Sequence, residues 1–155
     1  MKKFLLLLLI ALGMAALTYA GQGSLVFPVS EKPPMSLKEE TAQPNRIIAY
    51  YFHGSFRCAT CYRIEQYSRE AVETNFKSEM DSGKVIFKEI NVEEKGNEHF
   101  TKDYQLYTKS LVLSLVKDDK EIKSKNLTKV WEYVGSREKF HDYVKEEVSS
   151  YLKEF

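Results

Sequence analysis

Cys58 and Cys61 are the two cysteines of this 155-residue chain, and only two residues separate them in the segment HGSFRCATCYRIEQ, residues 53–66. A C-x-x-C pair fits three kinds of chemistry: thiol–disulfide exchange, binding of a soft metal ion, or a structural disulfide. A structural disulfide is a poor explanation, because closing so short a loop constrains almost none of the unfolded chain. We therefore predict that the pair changes between a dithiol and a disulfide.

The position of the pair assigns different roles to its members. Cys58 follows the apolar run of residues 46–52 (RIIAYYF) and a short loop with Gly54, where a helical pattern begins. A thiol at a helix N-terminus faces unpaired N–H groups and the positive end of the dipole, which favour the thiolate. Arg57 adds a positive charge beside it. We expect Cys58 to attack and Cys61, one turn further in and more buried, to resolve the mixed disulfide.

The histidines allow a second hypothesis. His53, five residues before Cys58, could lower the pKa of the thiol, although packing at the strand end is the favoured interpretation. Alternatively Cys58, Cys61 and His53 bind a soft metal such as Cu(I) or Zn²⁺. Since structural zinc normally takes four ligands, that site would be open or shared with a second protomer. His99 and His141 are predicted to be surface histidines.

The first twenty residues resemble a targeting segment. Two lysines precede the apolar run of residues 4–17, and small residues stand at Thr18 and Ala20. This pattern is typical of a secretory signal peptide, residues 1–20. The alternative is an uncleaved anchor formed by residues 4–20, near the lower length limit for a membrane span. Either interpretation places the rest of the chain outside the cytoplasm, in the periplasm or secreted, where a disulfide persists.

The charge balance excludes some partners. Removing residues 1–20 takes away two lysines and no acids, which leaves 21 basic and 22 acidic residues, a net charge of −1. Such a chain has no basic excess for nucleic acid or anionic lipid, so membrane contact would come only from an N-terminal anchor. We expect a protein thiol or disulfide as the partner, and the exchange requires no small-molecule cofactor.

The rest of the chain divides into a linker and one domain. Residues 21–45 contain all four prolines and predict a flexible tether, and residues 46–155 form the domain. Strands are predicted at 46–52, 84–92, 110–116 and 121–126. Helices are predicted from the cysteines to Ser82, over 96–106, over 127–134 and from a Ser136 cap to Phe155. The order predicts a βαβ unit, a hairpin and a covering helix, and hence a four-stranded mixed sheet.

At this point the sequence resembles the thioredoxin-like superfamily over residues 46–155. The resemblance is carried by CATC and by INVEEKGNEHFTKDYQLYTKSLVLSLVKDDKEI. It implies a three-layer α/β/α fold with a central four-stranded mixed sheet, and a thiol–disulfide oxidoreductase activity. YYFHGSFRCATCYRIEQYS and NLTKVWEYVG further resemble small exported bacterial proteins, the ArsF-type nitrophenyl compound nitroreductase subunits. No residue here resembles a flavin or nitroaromatic site.

Three positions depart from the thioredoxin pattern. Arg57 stands where the family has tryptophan, and Phe52 stands where it often has a buried acid. The family's cis-proline would precede the third strand near Ser110, but the chain has no proline after Pro44. The family pattern implies that losing this proline weakens general disulfide reduction and leaves room for a metal. A third hypothesis is a thioredoxin-like adaptor whose dithiol is incidental.

Overall fold

The computed structural model describes residues 45–155. The predicted signal peptide or anchor lies outside these residues, as does the predicted linker apart from Asn45. Within the described part, no helix is long and apolar enough to span a membrane.

The described residues form a four-stranded sheet with helices on both faces. The strands are β1 (Arg46–His53), β2 (Val85–Asn91), β3 (Ser110–Lys117) and β4 (Lys120–Asn126). The helices are α1 (Ala59–Asn75), α2 (Lys77–Asp81), α3 (His99–Asp103), α4 (Val130–Tyr133) and α5 (Arg137–Leu152). The sheet order is β2-β1-β3-β4, with β1 parallel to β2 and the other neighbours antiparallel. The predicted α/β fold with a four-stranded mixed sheet is confirmed.

The central strand β1 is buried on both faces, as its uninterrupted apolar sequence predicts. Alternate side chains of a strand point to opposite faces. Ile47, Ala49 and Tyr51 are fully buried on one face, and Phe52 is 1% exposed on the other. β1 therefore holds the two layers of helices together through the sheet.

The first face of the sheet is covered by α1 and α5, which contact each other. Their buried side chains are Ile64, Ala71 and Val72 from α1, with Phe140, Val144, Val148 and Tyr151 from α5. Ser136 caps α5 as predicted, because its hydroxyl accepts a hydrogen bond from the Lys139 N–H at 3.4 Å. The second face is covered by α3, whose Phe100 packs with Tyr104 on Phe52.

All four predicted helices differ from the structure in their boundaries, and the helix predicted over 127–134 is shortened to Val130–Tyr133. The first helix does not continue unbroken to Ser82, because Phe76 (φ −130°) separates α1 from α2. The helix predicted over 96–106 is shorter, since Gly96 (φ +97°) and Gln105 (φ +48°) have left-handed backbones on either side of α3. Phe155 lies beyond the end of α5 and is 43% exposed, so it does not belong to the apolar stripe.

Candidate active site

The two cysteines meet at the start of α1. Cys58 is the N-cap residue, with extended backbone angles (φ −92°, ψ 167°), and Cys61 lies in the first turn. They form a disulfide with a Cα–Cα distance of 5.1 Å. Cys58 is exposed, whereas Cys61 is only 3% exposed. Cys58 is therefore the member of the pair that lies at the surface, and Cys61 is covered.

The first turn of α1 directs a backbone donor at the sulfur of Cys58. The N–H of Cys61 donates a hydrogen bond to Sγ of Cys58 at 3.3 Å. The first N–H groups of a helix have no partner within the helix and carry its positive end. The first turn of α1 contains no acidic residue that would oppose this field. The arrangement stabilises negative charge on Cys58 when the disulfide is reduced.

Tyr51 of the central strand β1 contacts the first turn of α1. Its hydroxyl donates a 2.6 Å hydrogen bond to the backbone carbonyl of Cys61. The side chain is completely buried, and this burial raises the pKa of Tyr51 above its ordinary value. Tyr51 thus remains a neutral hydrogen-bond donor and fixes the first turn of α1 on the sheet.

His53 lies at the end of β1 and is 9% exposed. Its Nε2 is 3.0 Å from Oε1 of Glu89, and its Nδ1 is 2.9 Å from the carbonyl oxygen of Gly54. Both ring nitrogens therefore lie within hydrogen-bond distance of an oxygen atom. The sequence placed His53 near the thiols, and the structure shows that its direct partners are on β2 and in the β1–α1 loop.

Arg57 is not a solvated arginine, because its side chain is only 12% exposed. Its guanidinium lies 3.0 Å from Oε1 of Glu89 on β2 and forms an ion pair with Glu65 on α1. The same group lies over the ring of Tyr62, 4.4 Å from the centroid. Two carboxylates from different elements thus hold the positive charge that directly precedes Cys58.

These contacts belong to one group of ionisable side chains, which we call the charge cluster: His53, Arg57, Glu65, Arg69 and Glu89. Arg69 completes it, 3.2 Å from Oε2 of Glu89 and 3.7 Å from Oε1 of Glu65. The cluster therefore connects β1, the β1–α1 loop, α1 and β2 beside the disulfide.

Sequence reasoning missed the two carboxylates of the cluster, although each left a signal. Glu65 follows Cys58 by seven residues and Cys61 by four, which is the spacing of one helix face. Glu89 pairs with Tyr51 in the parallel register, and cross-strand partners point to the same face. A glutamate that lies beside a buried tyrosine on the same face of the sheet indicates that a cationic side chain pairs with it.

The loop before Cys58 is held by Glu93, which follows β2. Its Oε2 accepts a 3.0 Å hydrogen bond from the backbone N–H of Ser55, and this contact lowers the pKa of Glu93. A Cβ atom at Gly54 would collide with the flexible end of the Glu93 side chain, so a larger residue here would make this carboxylate move. Through this contact Glu93 orders the β1–α1 loop.

Exposed aromatic side chains lie on the segments around the disulfide. Phe56 (80% exposed) precedes Cys58 in the loop, and Tyr62 (55% exposed) follows Cys61 in α1. Tyr107 (93% exposed) lies just before β3, which enters the sheet beside the end of β1. These three side chains lie on segments at the end of the sheet where β1 leads into the β1–α1 loop.

Lys109 directly precedes β3, which begins at Ser110. The carbonyl oxygen of Lys109 accepts a 2.9 Å hydrogen bond from Nε1 of Trp131. A cavity of about 160 Å³ lies beside this segment, and His53 and Glu93 belong to its lining. Neither cysteine lines this cavity, so the disulfide lies outside it.

The remaining histidines differ from each other. His99 is exposed as predicted and contacts Asp103 at 2.7 Å. His141 is only 18% exposed; it lies 3.6 Å from Glu70 and against the edge of Tyr67, and burial lowers its pKa. The prediction of a surface histidine is wrong for His141, because α5 packs this face against α1.

The structure does not assemble the predicted three-ligand metal site. Across residues 45–155 there is no group of three or more His, Cys, Asp or Glu side chains that could hold a metal ion. The His53 ring is engaged by Glu89 and by the Gly54 carbonyl, as described above.

Comparison with known proteins gives neighbours in structure alone. No protein family model and no curated protein matches the chain. A Fasciola hepatica thioredoxin is similar with 21% identity and a TM-score of 0.35, covering 61% of this chain and 83% of its own. A Chlamydomonas reinhardtii thioredoxin f2 is 16% identical with a TM-score of 0.36, covering 60% and 77%. A malarial protein is 16% identical with a TM-score of 0.35, covering 63% and 98%.

Two of these neighbours are thioredoxins. The fold assignment for this chain stands on the strand order and on the helix that carries the cysteines.

Proposed function

We propose that the protein is an exported thiol–disulfide oxidoreductase that exchanges electrons with a protein partner through Cys58 and Cys61. One observation carries the proposal: Sγ of the exposed residue Cys58 accepts a hydrogen bond from the N–H of Cys61 at the N-terminus of α1, while Cys61 is buried. This is the environment in which a thiol is converted to a reactive thiolate.

The exchange proceeds through a mixed disulfide. In the oxidising direction, a partner thiolate attacks Sγ of Cys58, a partner–Cys58 bond forms, and the Cys58–Cys61 bond breaks. The second thiolate of the partner then attacks the partner sulfur that is bonded to Cys58. The partner's own disulfide forms, and Cys58 is released as a thiolate. The partner loses two electrons and two protons; one proton reaches the sulfur of Cys61 and the other enters the solvent. The reverse sequence reduces a partner disulfide, with Cys61 resolving the intermediate.

Export is part of the proposal and rests on the sequence of residues 1–20, with cleavage of a signal peptide or retention of an anchor over residues 4–20. An oxidising compartment such as the periplasm lets the disulfide persist between reactions. The resemblance to ArsF-type proteins stays a prediction about the subgroup, and the proposal assigns no nitroreductase chemistry to the chain.

A trapping experiment tests the function. Cys61→Ser removes the resolving thiol, so the mixed disulfide with Cys58 accumulates and is detected by non-reducing electrophoresis and mass spectrometry. Cys58→Ser is the matched control, because it keeps one cysteine in the same motif and leaves it buried. In cells expressing the full chain, we expect adducts with Cys61→Ser and none with Cys58→Ser. Equal capture by both variants, or by neither, contradicts the proposal.

A second measurement concerns the purified protein. The wild type should reach a reversible equilibrium with reduced and oxidised glutathione, followed by alkylation of free thiols and mass measurement. A chain that remains in one redox state over the whole range of glutathione ratios is not an oxidoreductase.

A further inference from the structure

The charge cluster beside the disulfide has a role in the proposed exchange. Arg57 alone would place a positive charge next to Cys58, but Glu65 and Glu89 both contact its guanidinium. The Glu65 side chain is 17% exposed and that of Glu89 is 32% exposed. Partly buried charges are screened less by solvent than surface charges, so the carboxylates act on their surroundings more strongly.

Reduction of the disulfide changes the charge at this place. The disulfide takes up two electrons and one proton, which leaves a thiolate on Cys58 and a thiol on Cys61. The electrons come from a partner dithiol that becomes a disulfide. A nearby cation favours the thiolate, whereas a nearby carboxylate opposes it. The redox equilibrium therefore depends on how much of the positive charge the carboxylates offset.

We propose that Glu65 and Glu89 set the reduction potential of the Cys58–Cys61 pair by offsetting the positive charge of Arg57. The two carboxylates lower the reduction potential of the pair. They also make Cys58 a weaker leaving group than it would be with only Arg57 and the helix N-terminus beside it. They are positioning and tuning residues rather than catalytic ones, because they act on the sulfur through Arg57 and through the field. This inference rests on the proposed function, since it describes the regulation of the same site.

The position of the cluster supports an action on the disulfide. Arg57 is the direct neighbour of Cys58 in the chain, and Glu65 lies on the helix face that carries both cysteines. Glu89 stands beside Tyr51, whose hydroxyl bonds to the carbonyl of Cys61. The other two members of the charge cluster also contact the carboxylates: His53 contacts Glu89 from β1, and Arg69 contacts both Glu65 and Glu89 from α1.

The test measures the glutathione equilibrium of neutral variants at pH 7. Glu65→Gln and Glu89→Gln each remove one negative charge and retain the size of the side chain. We expect each to shift the equilibrium about tenfold toward the dithiol, a rise of about 30 mV in potential. Arg57→Met should shift it in the opposite direction. The pH profile of Cys58 alkylation in the reduced protein should move to lower pH in both glutamine variants.

Two controls separate tuning from a structural role. Glu147→Gln removes the same charge from an ion pair on another face, where Glu147 of α5 contacts Lys125 of β4 at 2.7 Å. Glu147→Gln should have the same reduction potential as the wild type. Arg57→Lys keeps the charge but loses the planar fork. The reduction potential of Arg57→Lys should stay close to that of the wild type. If the arginine were merely structural, Arg57→Lys and Arg57→Met would shift the reduction potential equally.

The outcomes distinguish this inference from the function on which it rests. If the wild type equilibrates with glutathione but both glutamine variants match Glu147→Gln, the tuning is overturned and the oxidoreductase proposal stands. A fall in potential in those variants also overturns the tuning. If the wild type never equilibrates, both fail. Should Glu65→Gln not fold in urea-unfolding controls, Glu89→Gln and the pair Arg57→Met and Arg57→Lys decide.

Discussion

The hydroxyl of Tyr51 donates a 2.6 Å hydrogen bond to the backbone carbonyl of Cys61, ten residues further along the chain. This bond joins the central strand directly to the first turn of α1. The ring of Tyr51 also lies beneath Arg57, with 5.8 Å between the guanidinium carbon and the ring centroid. One buried tyrosine therefore contacts both the turn that carries the disulfide and the cation that precedes it.

Tyr51→Phe tests the support of this turn. The substitution removes the hydroxyl and retains the packing, so we expect a loss of about 1 kcal/mol in the free energy of unfolding of the oxidised protein. The turn should also open more often, which would speed alkylation of the buried Cys61 in the reduced protein. Urea unfolding and timed alkylation with mass detection measure both effects. Tyr107→Phe, at a 93% exposed position, is the control and should change neither.

The exposed aromatic residues around the disulfide should matter for protein partners only. Phe56→Ser and Tyr62→Ser remove large apolar contacts, and a central aromatic contact contributes about 2 kcal/mol to many interfaces. We expect the rate of reaction with a disulfide-containing protein such as insulin to fall about tenfold or more. The rate with dithiothreitol should stay within about twofold, because a small dithiol needs no docking surface. Ile122→Ser, exposed on β4, is the matched control. Equal losses in the rates with insulin and with dithiothreitol, in all three variants, would contradict a docking role.

Glu93 should make the order of the β1–α1 loop depend on pH. The N–H of Ser55 lowers the pKa of Glu93 below its ordinary value of 4.5 in the folded protein. A carboxyl with a lowered folded pKa stabilises the fold above its unfolded pKa, and that contribution is lost as the pH falls through the folded value. The difference in unfolding free energy between wild type and Glu93→Gln should be constant above about pH 5 and shrink below about pH 4. Urea titrations over this range measure it, and an unchanged difference at low pH would sink the prediction.

Tyr151 carries a buried hydroxyl that has no hydrogen-bond partner within residues 45–155, in a side chain that is 1% exposed. A buried polar group without a partner costs free energy, so Tyr151→Phe should raise the stability by about 1 kcal/mol at neutral pH. Burial also raises the pKa of Tyr151 to about 12. A phenol with a raised folded pKa stabilises the fold up to its unfolded pKa near 10, and this contribution is lost at higher pH. Alkaline unfolding between about pH 10 and 12 should therefore be weaker in the variant. Lower stability at pH 7 would show that the hydroxyl has a favourable contact after all.

Much of the fold could be predicted because it is encoded locally. The apolar run of residues 46–52 reports a strand buried on both faces, and Ser136 reports the start of α5 through its short-range hydrogen bond. Asp118 and Asp119 have positive φ angles of 47° and 59°, which agrees with the tight turn predicted between β3 and β4. The boundaries failed where the backbone conformation of single residues such as Phe76 and Gln105 ended a helix against its pattern.

By itself the sequence determined that the two thiols stand at a strand-to-helix junction, because strand, loop and helix patterns depend on neighbouring residues. Only the tertiary structure decided what surrounds them. Glu65 and Glu89 lie on different elements, and they meet Arg57 because β2 pairs with β1 in one particular register. His141 likewise became partly buried because α5 packs on α1. A linear pattern does not record these contacts, since electrostatic and packing partners are set by distance in space and not by separation along the chain.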